Sequence, residues 1–478
     1  MAGVGFQLKK LYNHKSLLLD FRTLMYSSIV IVGPQLLCIA AIAFFQIIMS
    51  NANVSFKDKE LFLASTLYCF IFSQIITSGF SMIITRYISD KLFAKEYNKV
   101  LPSLYGVISI CVFIGGVIGA VFFYKSPINI FTKFFTYILF IGLIVMWLET
   151  SYLSALKDYM KIVRSFLIGF VTSGVLGIII LKVTHINPIQ ISLLCFDIGV
   201  FIIVTLLMFY IKSFFKSSEK GYFDFLKYFD RYISLFLICF FYTVSLYIHN
   251  FIFWSGSLKE VISHTYIFAT MYDVPTFYAL LTTFPASIIF SISLETSFYD
   301  KYKEYYSQIT LGGSLKEITN ARKSMISVLY QQIFRLMEIQ LFFSVVFIAL
   351  GHYLLPFVGL SQISIDIFKS LTLGAFCSIS MFTIILIDLY FENRKGALIS
   401  TSVFLILNAV FTFISLKLGQ NYYGVGYFLA SFISVIVAFI NLNKFLVNID
   451  YITFCSQPII YKEREGIFSL IVNKLYKV

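Results

Sequence analysis

The sequence predicts an all-α, polytopic membrane protein: twelve transmembrane helices in two six-helix lobes, with both termini cytoplasmic. Three observations carry this: twelve apolar runs, an uneven distribution of Lys and Arg between the loops, and a repeat that relates the two halves. A hydrocarbon core of about 30 Å needs about 20 apolar residues in a helix. The chain has 478 residues, 59% hydrophobic and 13% charged, which lies outside the range of soluble globular proteins. Strands of a barrel would alternate with period two, and these runs do not.

The runs are 24–50, 61–85, 101–124, 134–156, 162–181, 189–210, 233–254, 273–297, 336–355, 370–391, 397–416 and 423–443. In order, the first carries Pro34, the second ends before Arg86, the fourth holds Glu149, and the sixth holds Asp197 near its middle. The seventh ends with His249 and Trp254, the eighth contains Pro285 and Glu295, and the tenth ends with Asp388. No Lys or Arg lies deep within a run; Arg164, the third residue of the fifth, adjoins a basic loop.

Counted over the loops, with Arg164 assigned to the loop it adjoins, 29 of the 37 Lys and Arg fall at the termini and after even-numbered runs, and eight after odd-numbered runs. The positive-inside rule therefore places both termini in the cytoplasm. The net charge of +13 sits on that face, where it suits anionic head groups of the bilayer. No long basic run or nucleic-acid motif accompanies it, so no nucleic acid is expected as partner.

Phe80-Ser81 and Asp90-Lys91 recur, 210 residues later, as Phe290-Ser291 and Asp300-Lys301. The same shift carries the start of run 1 to within a residue of the start of run 7. This is a parallel repeat about an axis along the membrane normal, and chains so built place a substrate path between lobes. The expected organisation is an interfacial amphipathic segment at 1–23, an N-lobe at 24–210, a cytoplasmic linker at 211–232, a C-lobe at 233–443 and a basic tail at 444–478. The first segment reads as interfacial helix rather than cleavable signal. Within the C-lobe, Ser314-Leu315-Lys316-Glu317 is a capping box that opens an amphipathic helix at about 314–334, expected on the inner leaflet.

An ionisable group inside a span is costly and therefore informative. Glu149, Asp197, Asp388 and Arg86 are the candidates for a substrate path. For Glu149 and Asp388 the alternative is snorkelling and pairing with the neighbouring basic loop. For Asp197 it is a hydrogen bond to Ser, Thr or Tyr of a nearby helix, and for Arg86 ordinary interfacial anchoring. Pro34 and Pro285 are hinge candidates or static kinks. Trp254 reads as an interfacial belt residue. Six of the seven cysteines lie within runs, as small packing residues with no disulfide or metal spacing. No phosphate loop, nucleophile elbow or metal motif appears, so no cofactor, no metal and no enzymatic activity are expected.

Short stretches along the chain resemble the PelG family of exopolysaccharide machinery. They are Met1 through Leu11, Gly33-Pro34, Arg86 through Pro102, Phe298 through Ile318, Tyr390-Phe391-Glu392-Asn393-Arg394, Tyr423-Gly424-Val425-Gly426-Tyr427 and Asp450-Tyr451-Ile452-Thr453-Phe454. The resemblance implies a MATE-like fold of the multidrug/oligosaccharidyl-lipid/polysaccharide flippase superfamily. It implies movement of a polymer of N-acetylated hexosamines across the cytoplasmic membrane. The partners it implies are a cytoplasmic glycosyltransferase and membrane subunits that include a cyclic-di-GMP receptor. Gln7 and Asn393 stand where an acid is more usual, which puts any ion pair at those points in doubt. Two other readings stay open: a cation-coupled small-molecule exporter of the same fold, and a non-transporting scaffold that docks the glycosyltransferase. The lack of deep basic residues favours a neutral or cationic glycan over a pyrophosphate-linked lipid, whose buried anion would call for a cation.

Overall fold

The computed structural model describes residues 26, 28–156, 158–183, 187–215, 219–293, 298–455 and 466–476. Among them, twelve helices or helix pairs are long and apolar enough to cross a membrane. The first seven are α1 (Gly33–Asn51), α2 (Phe56–Phe93), α3 (Val100–Tyr124), α4 (Ile130–Ala155), α5 (Tyr159–Val183), α6 (Pro188–Phe214) and α7 (Lys227–Trp254). A short antiparallel hairpin follows, β1 (Glu260–Ile262) and β2 (Tyr266–Phe268). Then come α8 (Thr270–Leu281), α9 (Phe284–Ser293), α10 (Tyr299–Thr310), α11 (Leu315–Leu354), α12 (Gln362–Tyr390), α13 (Arg394–Leu418), α14 (Val425–Val447), α15 (Ile449–Phe454) and α16 (Ile467–Leu475). The amphipathic segment expected at 1–23 and Glu295 lie outside the described residues.

The chain forms two compact units. The N-terminal unit holds Gly33–Val244, Glu260–Phe268 and the described residues from 466 onward. The C-terminal unit holds the described residues up to Val32, Ser245–Lys259, and those from Ala269 to 455. Two spans are shared: the chain changes unit at Val32 and again at Val244, inside α7. A shift of 210 carries the first point to within two residues of the second.

The expected lobe boundary in 211–232 thus moves into α7. Its first half belongs to the N-terminal unit because Phe229 and Phe236 pack against Phe80, tilted and edge-on, with centroids 5.7 and 5.3 Å away. Gly79 makes room for this: a Cβ there would come within 2.6 Å of the Phe236 ring. The same unit recruits α16, whose first turn is capped from a distance by Asp230. Its carboxylate accepts from the backbone N–H groups of Phe468 (3.1 Å) and Ser469 (2.7 Å), donors that a helix start otherwise leaves unsatisfied.

Within the N-terminal unit, α5 and α6 cross closely through small residues. A Cβ on Gly199 would meet Ser173 Cβ at 2.6 Å and the Gly169 carbonyl at 2.9 Å. Such contacts replace the hydrophobic drive that apolar surroundings cannot supply between spans. The hairpin joins this unit through Tyr68, whose hydroxyl donates to the Ile267 carbonyl (2.7 Å) and accepts from the Ile267 N–H (2.9 Å).

In the C-terminal unit the capping box at Ser314 and Glu317 forms as expected. The helix it opens does not end near 334. α11 runs unbroken for 40 residues, about 60 Å at 1.5 Å per residue, so its amphipathic part extends along the axis of the span instead of lying apart on a leaflet. No proline and no glycine before Gly351 offers a bend.

Candidate functional site: polar linings inside the spans

The most continuous polar feature lies on α2. Ser73, Thr77, Ser81, Thr85 and Ser89 recur every four residues, a ridge that winds about 40° per step around the helix. From Thr77 onward each hydroxyl donates to the carbonyl four residues back, at 2.7 to 2.9 Å. Their protons are therefore committed to the helix, and their lone pairs remain as acceptors. Trp147 Nε1 uses one of these at Ser73 (3.1 Å) and Ser151 uses another at Ser81 (3.2 Å). Ser73 and Thr77 are buried, whereas Gln74, Ser78, Ser81 and Thr85 are half-exposed. A half-exposed polar face within a span suits a water-accessible lining, not hydrocarbon. Lipid-facing surface looks different: α5 exposes Leu167, Ile168, Val171, Val175 and Ile179.

The seam ends at Arg86. Its Nε lies 3.3 Å from Asp90 Oδ1, and its guanidinium sits 5.3 Å over the Tyr232 ring. Arg86 is not at a helix end, since α2 continues for two further turns to Phe93. In the connection to α3, Glu96 Oε2 takes Lys91 Nζ and Lys99 Nζ, each at 2.8 Å. Lys91 first, then Lys99, hold the Glu96 carboxyl down at about 2.

Glu149 and Asp197 belong to the same unit but not to the seam. Glu149 is two residues from both Trp147 and Ser151, about 200° around α4 from the face that meets α2. It is fully buried, and neither carboxylate oxygen has a hydrogen-bond partner among the described residues. Asp197 is 8% exposed, and its two oxygens are equally unpartnered. The adjacent Phe196 ring packs with Phe45, Phe62, Phe70 and Phe170. The Ser, Thr or Tyr bond considered for Asp197 is thus not made.

Asp388, in the C-terminal unit, is buried, and its Oδ1 accepts from Asn393 Nδ2 at 2.8 Å. Asn393 Oδ1 accepts from the Gly396 N–H at 3.2 Å and so caps α13. The amide does two jobs here, and a carboxylate at 393 would face Asp388 with no proton to give. The loop cation Arg394 instead lies 3.9 Å from Glu392.

Both hinge candidates occupy the second position of a helix that starts after a break. Pro34 follows an interruption at Val32, and Pro285 follows one at Thr282-Thr283. Proline is tolerated there because a first turn has no partner for its missing N–H. The second break is mended by Gln340 of α11, a residue the sequence reading passed over. Its amide donates to the Thr282 carbonyl (2.8 Å) and accepts from the Ala286 N–H (3.0 Å). A third proline, Pro275, sits inside α8 and frees the Met271 carbonyl, which Ser364 Oγ takes at 3.2 Å.

Asp273 was also missed, since it stands at the first residue of its run. It accepts from Asn250 Nδ2 (2.6 Å), Trp254 Nε1 (2.9 Å) and the Ala269 N–H (2.8 Å). Trp254 is accordingly no belt residue: it is 8% exposed and points its N–H inward. Beside it, His249 Nδ1 lies 2.9 Å from the Tyr272 hydroxyl. Spacing gave a usable signal, because Asn250 and Trp254 are one helical turn apart and face one partner. All seven cysteines are free, and among the described residues no cluster of His, Cys, Asp and Glu could hold a metal ion.

The fold has counterparts among solved structures. A multidrug resistance MATE family transporter of the MOP superfamily, in an outward-facing conformation, superposes with a TM-score of 0.60 at 12% identity, covering 94% of this chain and 99% of that one. The Vibrio cholerae MATE transporter VcmN gives 0.61 at 12% identity, covering 89% and 98%. A MOP superfamily transporter from Pyrococcus furiosus gives 0.52 at 12% identity, covering 89% and 96%. At such identities the likeness establishes the fold, a two-lobed MATE-like bundle. No curated protein matches the chain. Residues 1–454 match the PelG family model, described as "Putative exopolysaccharide Exporter (EPS-E)", and a match over that share of the chain makes this protein a member of the PelG family, a multi-pass membrane transporter.

Proposed function

We propose that this protein moves a hexosamine-type, Pel-like exopolysaccharide across the cytoplasmic membrane as the transporter subunit of a synthase complex. The observation that carries this reading is the half-exposed polar face of α2, formed by Gln74, Ser78, Ser81 and Thr85, inside a span of an exporter-family chain. Hydroxyl acceptors suit the O–H and N–H donors of a sugar chain. The seam also explains why no deep Lys or Arg is needed: a glycan without a pyrophosphate handle brings no anion into the membrane. A cytoplasmic glycosyltransferase would feed the path, and extension of the polymer would push it. Membrane subunits that include a cyclic-di-GMP receptor would complete the assembly. The protein itself carries no catalysis in this reading; Glu149, Asp197, Asp388 and Arg86 remain candidates for polar groups on the path, and Pro34 and Pro285 for bends.

The test is export in cells that carry the triple variant Ser78→Ala, Ser81→Ala, Thr85→Val. Secreted polymer is expected to fall at least about ten-fold, the effect of about 1.4 kcal/mol on the path, at unchanged protein level in the membrane. Unchanged secretion would remove the seam from the path. A second reading, cation-coupled export of a small molecule, is favoured by the unpartnered Asp197. It predicts that Asp197→Asn abolishes drug efflux and leaves polymer secretion intact.

A further inference from the structure

A groove of about 410 Å³ opens in the C-terminal unit between the first turns of α11 and the end of α14. Arg322, Lys323 and Tyr330 of α11 and Asn443, Leu446 and Val447 of α14 line it. No carboxylate lines it. Arg322 is already tied to Asp450, which also accepts from the Tyr305 hydroxyl at 2.9 Å. Lys323 is exposed and makes no ion pair or hydrogen bond among the described residues. The Tyr330 hydroxyl donates to Asn443 Oδ1 at 3.1 Å, which leaves the Asn443 amide N–H groups for a ligand.

The groove continues into apolar surface. Phe334, one turn beyond Tyr330, is 53% exposed and stacks on Phe439 with centroids 6.1 Å apart. Ile440, beside Phe439 on the facing helix, is 47% exposed. From Lys323 to Phe334 the α11 surface passes from cation to hydroxyl to aromatic ring over about 16 Å. A site that is cationic at one end and greasy at the other fits an amphiphile with a negative head. A soluble anion would leave the aromatic end uncovered.

We propose that this groove binds the head group of an anionic phospholipid, with Lys323 on the phosphate and an acyl chain along Phe334, Phe439 and Ile440. The full chain, purified in detergent, is mixed with dioleoyl phosphatidylglycerol or dioleoyl phosphatidylcholine, and bound lipid is counted by native mass spectrometry. Phosphatidylglycerol is expected to be retained in preference. Lys323→Gln is expected to weaken that retention about five-fold, the effect of one interfacial cation, while Lys316→Gln, exposed on the same helix but outside the groove, leaves it unchanged. Lys323 is a surface residue, so folding is checked simply by an unaltered melting curve. Equal retention of the two lipids, or an unaffected Lys323→Gln variant, overturns the proposal. Displacement of phosphatidylglycerol by glycerol 3-phosphate also overturns it, in favour of a soluble phosphate ligand.

Discussion

Two buried carboxylates in the N-terminal unit and a half-buried one in the C-terminal unit meet opposite fates. Asp273 is held by three donors, one each from Asn250, Trp254 and the Ala269 backbone. Glu149 and Asp197 have none. A buried polar group without a partner costs free energy, so the first arrangement is a structural joint and the second is a pair of groups retained at a cost. Packing gives no reason to keep such groups, and this makes them the candidates for a functional role.

Substitutions that remove charge but keep shape put this contrast to the test. Asp273→Asn replaces an acceptor pair with one acceptor and one donor, so a donor on Asn250 or Trp254 is left facing another donor. It should destabilise the protein by about 3 kcal/mol, read as an earlier unfolding transition in detergent. Gln340→Leu removes the bridge across the break before Pro285 and leaves the Thr282 carbonyl and the Ala286 N–H unmet, at about 2 kcal/mol. Glu149→Gln and Asp197→Asn should each shift stability by less than about 1 kcal/mol, because no donor loses its acceptor. If either of these melts as early as Asp273→Asn, the contrast fails.

The smallest effect is at the surface. Glu96 has its carboxyl held at about 2 by Lys91 and Lys99, against an ordinary value of 4.5. Its contribution is complete above pH 4.5 and is lost as pH falls toward 2. The site is exposed, so the loss is under about 1 kcal/mol and should vanish in Glu96→Gln when melting is followed across that pH range.

The spans were legible because length and hydropathy alone decide what can cross a bilayer, and the breaks were legible from Pro34 and Pro285. What was hidden depends on contacts distant in sequence. Nothing local in Gln340 announces that it mends a helix 54 residues away, and Trp254 has the composition of a belt residue until Asp273 is placed beside it. The hairpin was hidden because its strands are three residues each, too short to set up an alternating pattern. The four-residue period of hydroxyls on α2 was in plain view. It was overlooked because charge, not hydroxyl spacing, was the property sought in the spans.

That period has a mechanical side. Acceptors recur along α2 every four residues, about 6 Å, and each is weak because its proton already serves the helix. A chain sliding past would exchange one modest bond for the next without falling into a deep well. In the proposed role, the spacing belongs to the protein helix and not to the sugar, so successive units would not lock in register. Such a row would act as a low-friction rail, and strengthening any one rung, for instance with a carboxylate, would slow the traffic by holding on to it.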